Sequence, residues 1–299
     1  TRPINTYMFS ATFPSHVMRL ASQFLRDPEF LSLSRDHVHV TDTEHVFYSV
    51  PGMDKDRCLV RIIEIENPAS ALIFCNTRAK VHYVAVVLQR FGYDADELSS
   101  DLSQAAREKV LARLYKGTLR FLVATDVAAR GIDISDLSHV ILYEMPDDQE
   151  AYIHRAGRTG RAGASGVAIS LVAGMEERTA MRRIAARYHI DLQEQPLPTD
   201  EDVAAIVAER ATALLEARLR TRDRLQTERM QRFMGLAREL SETEDTLALL
   251  AMLLDDCYHG EVHGQPASLP SRKVSEKSRR SDSSDRKKSR RRPSYRRRR

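Results

Sequence analysis

Residues 151–163 read AYIHRAGRTGRAG. Three arginines (Arg155, Arg158, Arg161) and His154 alternate there with Gly157, Gly160 and Gly163. Burying that much positive charge is costly without partners, and on a solvent-facing helix the glycines would only weaken the helix. The stretch therefore reads as built to meet an anion. Guanidinium groups match phosphate bidentately and stay charged at any working pH. A helix is expected through 151–160, and at helical spacing His154, Arg158 and Arg161 share one face, with the glycines letting another surface approach closely.

Working outward, apolar strands alternate with helical stretches. HVFYSV (45–50) precedes KDRCLVRIIEI (55–65), SALIFCN (70–76) precedes AKVHYVAVVLQRF (79–91), and DADEL (94–98) precedes SQAAREKVLARLYKG (103–117). RFLVATD (120–126), HVILYE (139–144) and SGVAISLV (165–172) complete the strands. This alternation predicts an α/β fold, a parallel sheet with helices on both faces. Ligands on such sheets bind beyond the carboxyl ends of the strands, where the polar residues of this chain gather. VATDVAARGIDI runs from a strand into Thr125, Asp126, Arg130, Gly131 and Asp133, a set suited to a sugar-phosphate. LIFCNTRAKV places Thr77 and Arg78 at a helix start, where free N–H groups favour an anion. DLSQAAREKV adds Gln104 and Arg107 on the first turn of the next helix.

The flanks read differently. Residues 4–10 suggest a strand, Ser15 to Leu25 a helix, Phe30 to Leu33 a short strand and 34–43 a linker. The opening TRPINTYMFSATFP, with no initiator Met, suggests a piece of something longer. From Asp200 only helices are expected. Val203, Ile206, Val207, Ala211, Leu214 and Leu215 form one apolar stripe, and Met230, Phe233, Met234, Ala237 and Leu240 a second. Ser241 and Glu244 read as a capping box opening a third helix, TLALLAMLLDDCY, apolar nearly all round and so expected to be covered on more than one side.

The 299 residues carry a net charge of only +4, but residues 272–299 hold 15 Lys and Arg against 3 Asp and Glu. Such a Ser/Arg-rich tail is expected to be disordered and suits a polyphosphate partner, a solubility role or a localisation signal. Cys58, Cys75 and Cys257 show no pairing or metal spacing, which fits a reducing, cytoplasmic setting. No apolar run is long enough to span a membrane.

SAT (10–12), LIFCNTRAKV (72–81), SQAAREKV (103–110), ATDVAARGID (124–133) and YIHRAGRTGRAG (152–163) resemble, in order and spacing, the later motifs of DEAD-box RNA helicases. The resemblance covers residues 1 to about 200 and implies two RecA-like domains with ATP and Mg²⁺ in the cleft between them and RNA across both. It implies that Arg158 and Arg161 reach the γ-phosphate and that Asp133, with Gly131, holds the ribose. His154 would couple the nucleotide to the first domain, as would Ser10, Ala11 and Thr12. Thr77, Arg78, Gln104, Arg107, Thr125 and Arg130 would grip the RNA backbone, which reads the strand without reading its sequence.

Two departures stand out. Ser99-Ser100-Asp101 replaces the family's usual His-Gly-Asp, and the 299 residues contain no Gly-Lys-Thr phosphate loop, no Asp-Glu-Ala-Asp and no adenine-reading segment. The expected layout is therefore a remnant of a first RecA-like domain with linker (1–40) and a second RecA-like domain (41–199). A helical module (200–262) and an Arg/Ser-rich RNA-binding tail (263–299) follow. That layout is similar to the bacterial cold-shock DEAD-box helicases (DeaD/CsdA type), which implies a homodimer through the helical module and RNA on the tail. The alternative for the last helix is packing on the RecA-like domain. An RNA-binding and dimerising fragment without activity of its own, and a DNA helicase or translocase of the same superfamily, are the competing functional readings.

Overall fold

The computed structural model describes residues 6–9, 15–31, 43–129, 137–160 and 165–263. All of them fall within one compact unit, Thr1–Ala267. Seven parallel strands form one sheet in the order β3-β4-β2-β5-β6-β1-β7. They are β1 Thr43–Ser49, β2 Ala71–Phe74, β3 Ala95–Leu98, β4 Phe121–Ala124, β5 His139–Leu142, β6 Gly166–Val172 and β7 Leu192–Gln195. The strands between the edges are apolar on both faces, as a sheet covered on both sides requires. Val46, Tyr48, Ile73, Val123, Ile141 and Ile169 pack with α2 (Lys55–Glu66) and α3 (Arg78–Arg90). Phe47, Leu72, Phe74, Leu122, Val140 and Leu142 pack with α4 (Gln104–Tyr115), α6 (Gln149–Ala156) and α7 (Gly174–Tyr188). The expected parallel sheet with helices on both faces is the observed fold.

Register places the site. Ala71 of β2 pairs with Phe121 of β4 and with His139 of β5, and the three strands end together at Phe74, Ala124 and Leu142. Asn76, Asp126 and Glu144 therefore each lie two residues past the end of three adjacent strands.

Several expectations give way. Helix α1, Ser15–Phe24, forms as read, but Tyr7 and Phe9 lie in no regular element and are 74% and 91% exposed. Phe30 and Leu31 are likewise irregular and exposed. Neither segment is a strand of the sheet among the described residues. The expected SAT motif (Ser10, Ala11, Thr12) lies outside the described residues, as do residues 32–42. The helix expected through 151–160 is α6 and ends at Ala156, where the Gly157 N–H closes on the Ile153 carbonyl at 2.8 Å. Arg158 thus follows the helix in a turn. Thr159 is fully buried, its hydroxyl donating to the Leu137 and Ser138 carbonyls, and Gly160 adopts φ +66°, which favours glycine.

Among the elements not anticipated are α5 (Asp126–Ala129), α7 and the polar edge strand β7. Beyond them α8 (Asp200–Arg220) opens on a capping box of Thr199 and Asp202. The second expected helix divides into α9 (Arg224–Gln231) and α10 (Met234–Leu240). The third is α11 (Glu244–Tyr258), but its cap is Thr243, which accepts from the Thr246 N–H at 3.3 Å, while the Ser241 hydroxyl turns back to the Arg238 carbonyl. Nor is α11 covered: Leu247, Leu249, Met252, Leu253 and Leu254 are 44–55% exposed, and Tyr258 alone of its described side chains is buried. No helix among the described residues is long and apolar enough to cross a membrane.

Candidate functional site

Arg155 organises the strand ends. Its side chain is 2% exposed. Nε donates to Asp126 Oδ1 at 2.9 Å and Nη2 to Asp126 Oδ2 at 2.7 Å, a two-pronged pair. Nη2 also donates to Asn76 Oδ1 at 2.7 Å and Nη1 to the Glu144 carbonyl at 2.7 Å. The guanidinium lies 5.2 Å from the centre of the Phe74 ring. Asn76 completes the cluster, its backbone N–H donating to Glu144 Oε2 at 2.7 Å and Nδ2 to the Met145 carbonyl at 2.8 Å. One side chain from α6 thus bolts the ends of β4, β2 and β5 together. Such a buried charge persists because every direction is paired.

This cluster corrects the reading of the arginine-rich stretch. Arg155 is committed inside the protein, so of the two arginines described there only Arg158 belongs to the turn. Its backbone N–H donates to the Arg155 carbonyl at 3.1 Å, which ties the turn to the bolt. His154 sits on α6 beside Arg155, half-buried. Arg130, Gly131, Asp133 and Arg161 lie outside the described residues.

The remaining candidates line the same edge. Thr77 caps α3, its Oγ1 accepting from the Lys80 N–H at 3.2 Å. Arg78 is exposed and pairs with Asp101, joining the end of β2 to the loop after β3. Thr125 is buried and its Oγ1 accepts from the Ala128 N–H at 3.3 Å, opening α5. Arg107 Nη2 donates to the Ala128 carbonyl at 2.8 Å, fastening α4 to α5. Gln104 Nε2 donates within its own helix, to Glu108 Oε1 at 2.8 Å. Cys75 stands beside the cluster, where burial, and then the nearby Glu144 carboxylate, push its thiol well above the usual range and disfavour the thiolate. Among the described residues, no group of three or more His, Cys, Asp or Glu side chains is placed to hold a metal ion.

The parallel sheet and its braced strand ends define a RecA-like helicase domain. The family of helicase conserved C-terminal domains matches residues 54–163. RNA helicase CrhR of Synechocystis sp. is 39% identical over 254 residues, covering 85% of this chain and 50% of that protein. The C-terminal domain of the DEAD-box protein Dbp5 superposes with a TM-score of 0.52 at 28% identity, over 57% of this chain and 99% of that one. S. cerevisiae Dbp5 bound to RNA and ADP BeF3 superposes with a TM-score of 0.59 at 29% identity, over 66% and 53%. The chain belongs to the DEAD-box RNA helicases and corresponds to their C-terminal part. It spans about half the length of the curated relatives it matches.

Proposed function

We propose that this chain is the C-terminal part of an ATP-dependent enzyme that separates short RNA duplexes. The observation that carries the reading is the register: three strands end in line, and Arg155 holds Asn76, Asp126 and Glu144 there. Thr77, Arg78, Arg107 and Thr125 are thereby arrayed along one edge, to which Gln104 and Arg130 would add, for the phosphates and riboses of one RNA strand. Arg158 and Arg161 would stabilise charge growing on a γ-phosphate, Asp133 and Gly131 would take the ribose, and His154 would couple that site to Ser10, Ala11 and Thr12. The donor set fits a nucleotide's phosphates, since Arg158 is half-buried in the turn after α6 and a guanidinium stays charged and pairs bidentately with phosphate oxygens. ATP with Mg²⁺ would supply the phosphoryl group whose hydrolysis resets the clamp. The 299 residues contain neither Gly-Lys-Thr nor Asp-Glu-Ala-Asp, so the phosphate loop and Mg²⁺ ligands would come from a further domain, and the chain alone is expected to turn over no ATP.

A second reading, an RNA-binding and dimerising piece, draws on the helical arm α8–α11. Its uncovered leucines suit a second copy of the chain, and the basic tail suits RNA. The free thiols of Cys58, Cys75 and Cys257 accord with a cytoplasmic setting. The test is ATP turnover by the longer protein with single-stranded RNA or DNA added. Stimulation by RNA is expected, and equal stimulation by DNA would favour a translocase of the same superfamily.

A further inference from the structure

Two distant parts of the helical arm return to one patch on the α/β body. From α8, Arg210 donates through Nη1 to the Glu64 carbonyl and through Nη2 to the Ile65 carbonyl at 3.0 Å. These are last-turn carbonyls of α2, which have no partner within their own helix. From the end of α11, the Tyr258 hydroxyl donates to Glu64 Oε2 at 3.0 Å. Four residues on, the Val262 carbonyl accepts from Arg120 Nη1 at 3.1 Å.

The body is shaped to receive them. The Tyr93 hydroxyl donates to Glu64 Oε1 at 2.5 Å, so each carboxylate oxygen has a phenol, one from the body and one from the arm. Arg120 is held by the Pro68 carbonyl at 2.7 Å and Asn67 Oδ1 at 2.6 Å, leaving Nη1 to reach the arm. Glu64, Tyr93 and Tyr258 are 6%, 4% and 4% exposed. The His259 ring lies against Gly92, where a Cβ would stand 2.9 Å from Nδ1, and φ of +81° at Gly92 further favours glycine.

A carboxylate this deeply buried is stable only when paired and hydrogen-bonded, and here the arm supplies part of that pairing. We propose that Glu64 is the keystone of a dock that locks the base of the arm to the body, so that the two move as one rigid piece. Whatever the arm's uncovered apolar face binds is then held at a fixed orientation to the strand ends. The dock stands independently of the nucleotide reading.

The test is a spin-label distance distribution between Lys116→Cys on the body and Arg222→Cys at the turn after α8. The reference chain carries Cys257→Ser and is diluted with unlabelled chain. A single narrow distribution is expected. Glu64→Gln on the body side, and Tyr258→Phe with Arg210→Met on the arm side, should each broaden it, with circular dichroism unchanged. A broad distribution in the reference chain, or a narrow one persisting in both variants, would overturn the dock.

Discussion

Arg155 and Asp126, 29 residues apart in sequence, meet as a two-pronged ion pair at 2.9 and 2.7 Å, with the arginine side chain 2% exposed. The same guanidinium holds Asn76 and the Glu144 carbonyl. Positive charge that looks ready for an incoming phosphate is instead committed to bracing three strand ends. The bracing gives the neighbouring His154 and Arg158 a fixed platform.

Removing that brace should unfold the chain more easily. Arg155→Met removes the partner of Asp126, Asn76 Oδ1 and the Glu144 carbonyl. Because Asp126 is 35% exposed and Asn76 keeps its bonds to Glu144 and Met145, the loss should fall below the roughly 3–5 kcal/mol of a fully buried pair. Arg155→Lys keeps the charge but has no planar fork to span three partners, so it should fall between. Urea denaturation of the chain measures both, and near-native stability of Arg155→Met would remove the brace from the account.

Acid should weaken the body through His139. Burial, and then the nearby Arg120 guanidinium, hold this imidazole down at about 4. In the unfolded chain it protonates near its ordinary value of about 6.5. Unfolding therefore takes up a proton between these values, so stability falls as pH drops from about 6.5 to about 4 and this contribution then levels off. At roughly 1.4 kcal/mol per pH unit, the loss is at most about 3 kcal/mol. Denaturation curves of the native chain and His139→Gln should converge in slope outside that window and differ within it. Identical pH dependence would exclude His139 as the source.

RNA affinity should depend on salt mainly through the tail. Six phosphate contacts from the 15 basic residues of 272–299 imply a log–log slope near −4, at about −0.7 per contact for single strands. Deleting 272–299 should flatten it alike for unrelated RNA sequences. Arg78→Ala should change it by only about 0.7, since Arg78 is exposed and its Asp101 partner is displaced cheaply. An unchanged slope after the deletion would move the binding to the folded body.

The arm should pair with a second copy. Leu249 and Leu253 lie one turn apart on α11 and are 47% and 55% exposed. Leucines of this kind contribute roughly 1.5–3 kcal/mol each when fully covered, so a few per protomer would hold a dimer at micromolar concentration. Light scattering should give twice 34.0 kDa for the native chain and a monomer for Leu249→Asp with Leu253→Asp. A native mass near that of one chain across the micromolar range would rule the dimer out.

Much of this was legible from pattern. Apolar runs such as ALIF and FLVA, each followed by a polar loop and a helix, announce buried parallel strands, and Thr77 and Thr125 stand where those runs stop. The brace was hidden because Asn76, Asp126, Glu144 and Arg155 come from four segments, and only register aligns them. Gly157 as a helix end was readable from composition, but the arginine spacing suggested that the helix continues. Strand β7, LQEQ, is polar because it is an edge, which suppresses the alternation that marks a strand. The dock escaped for the reason the brace did: Glu64 and Tyr258 are 194 residues apart.

The central claim is that this chain contributes arginines to a nucleotide that another domain must hold. ATP turnover in the presence of RNA tests it most directly, measured for the isolated chain, for the longer protein, and for the longer protein carrying Arg158→Ala or Arg161→Ala. The account predicts no turnover by the chain alone, and a loss of about 10³-fold or more in each variant, the scale of a missing arginine finger. Turnover by the isolated chain, or variants close to the native rate, would contradict it.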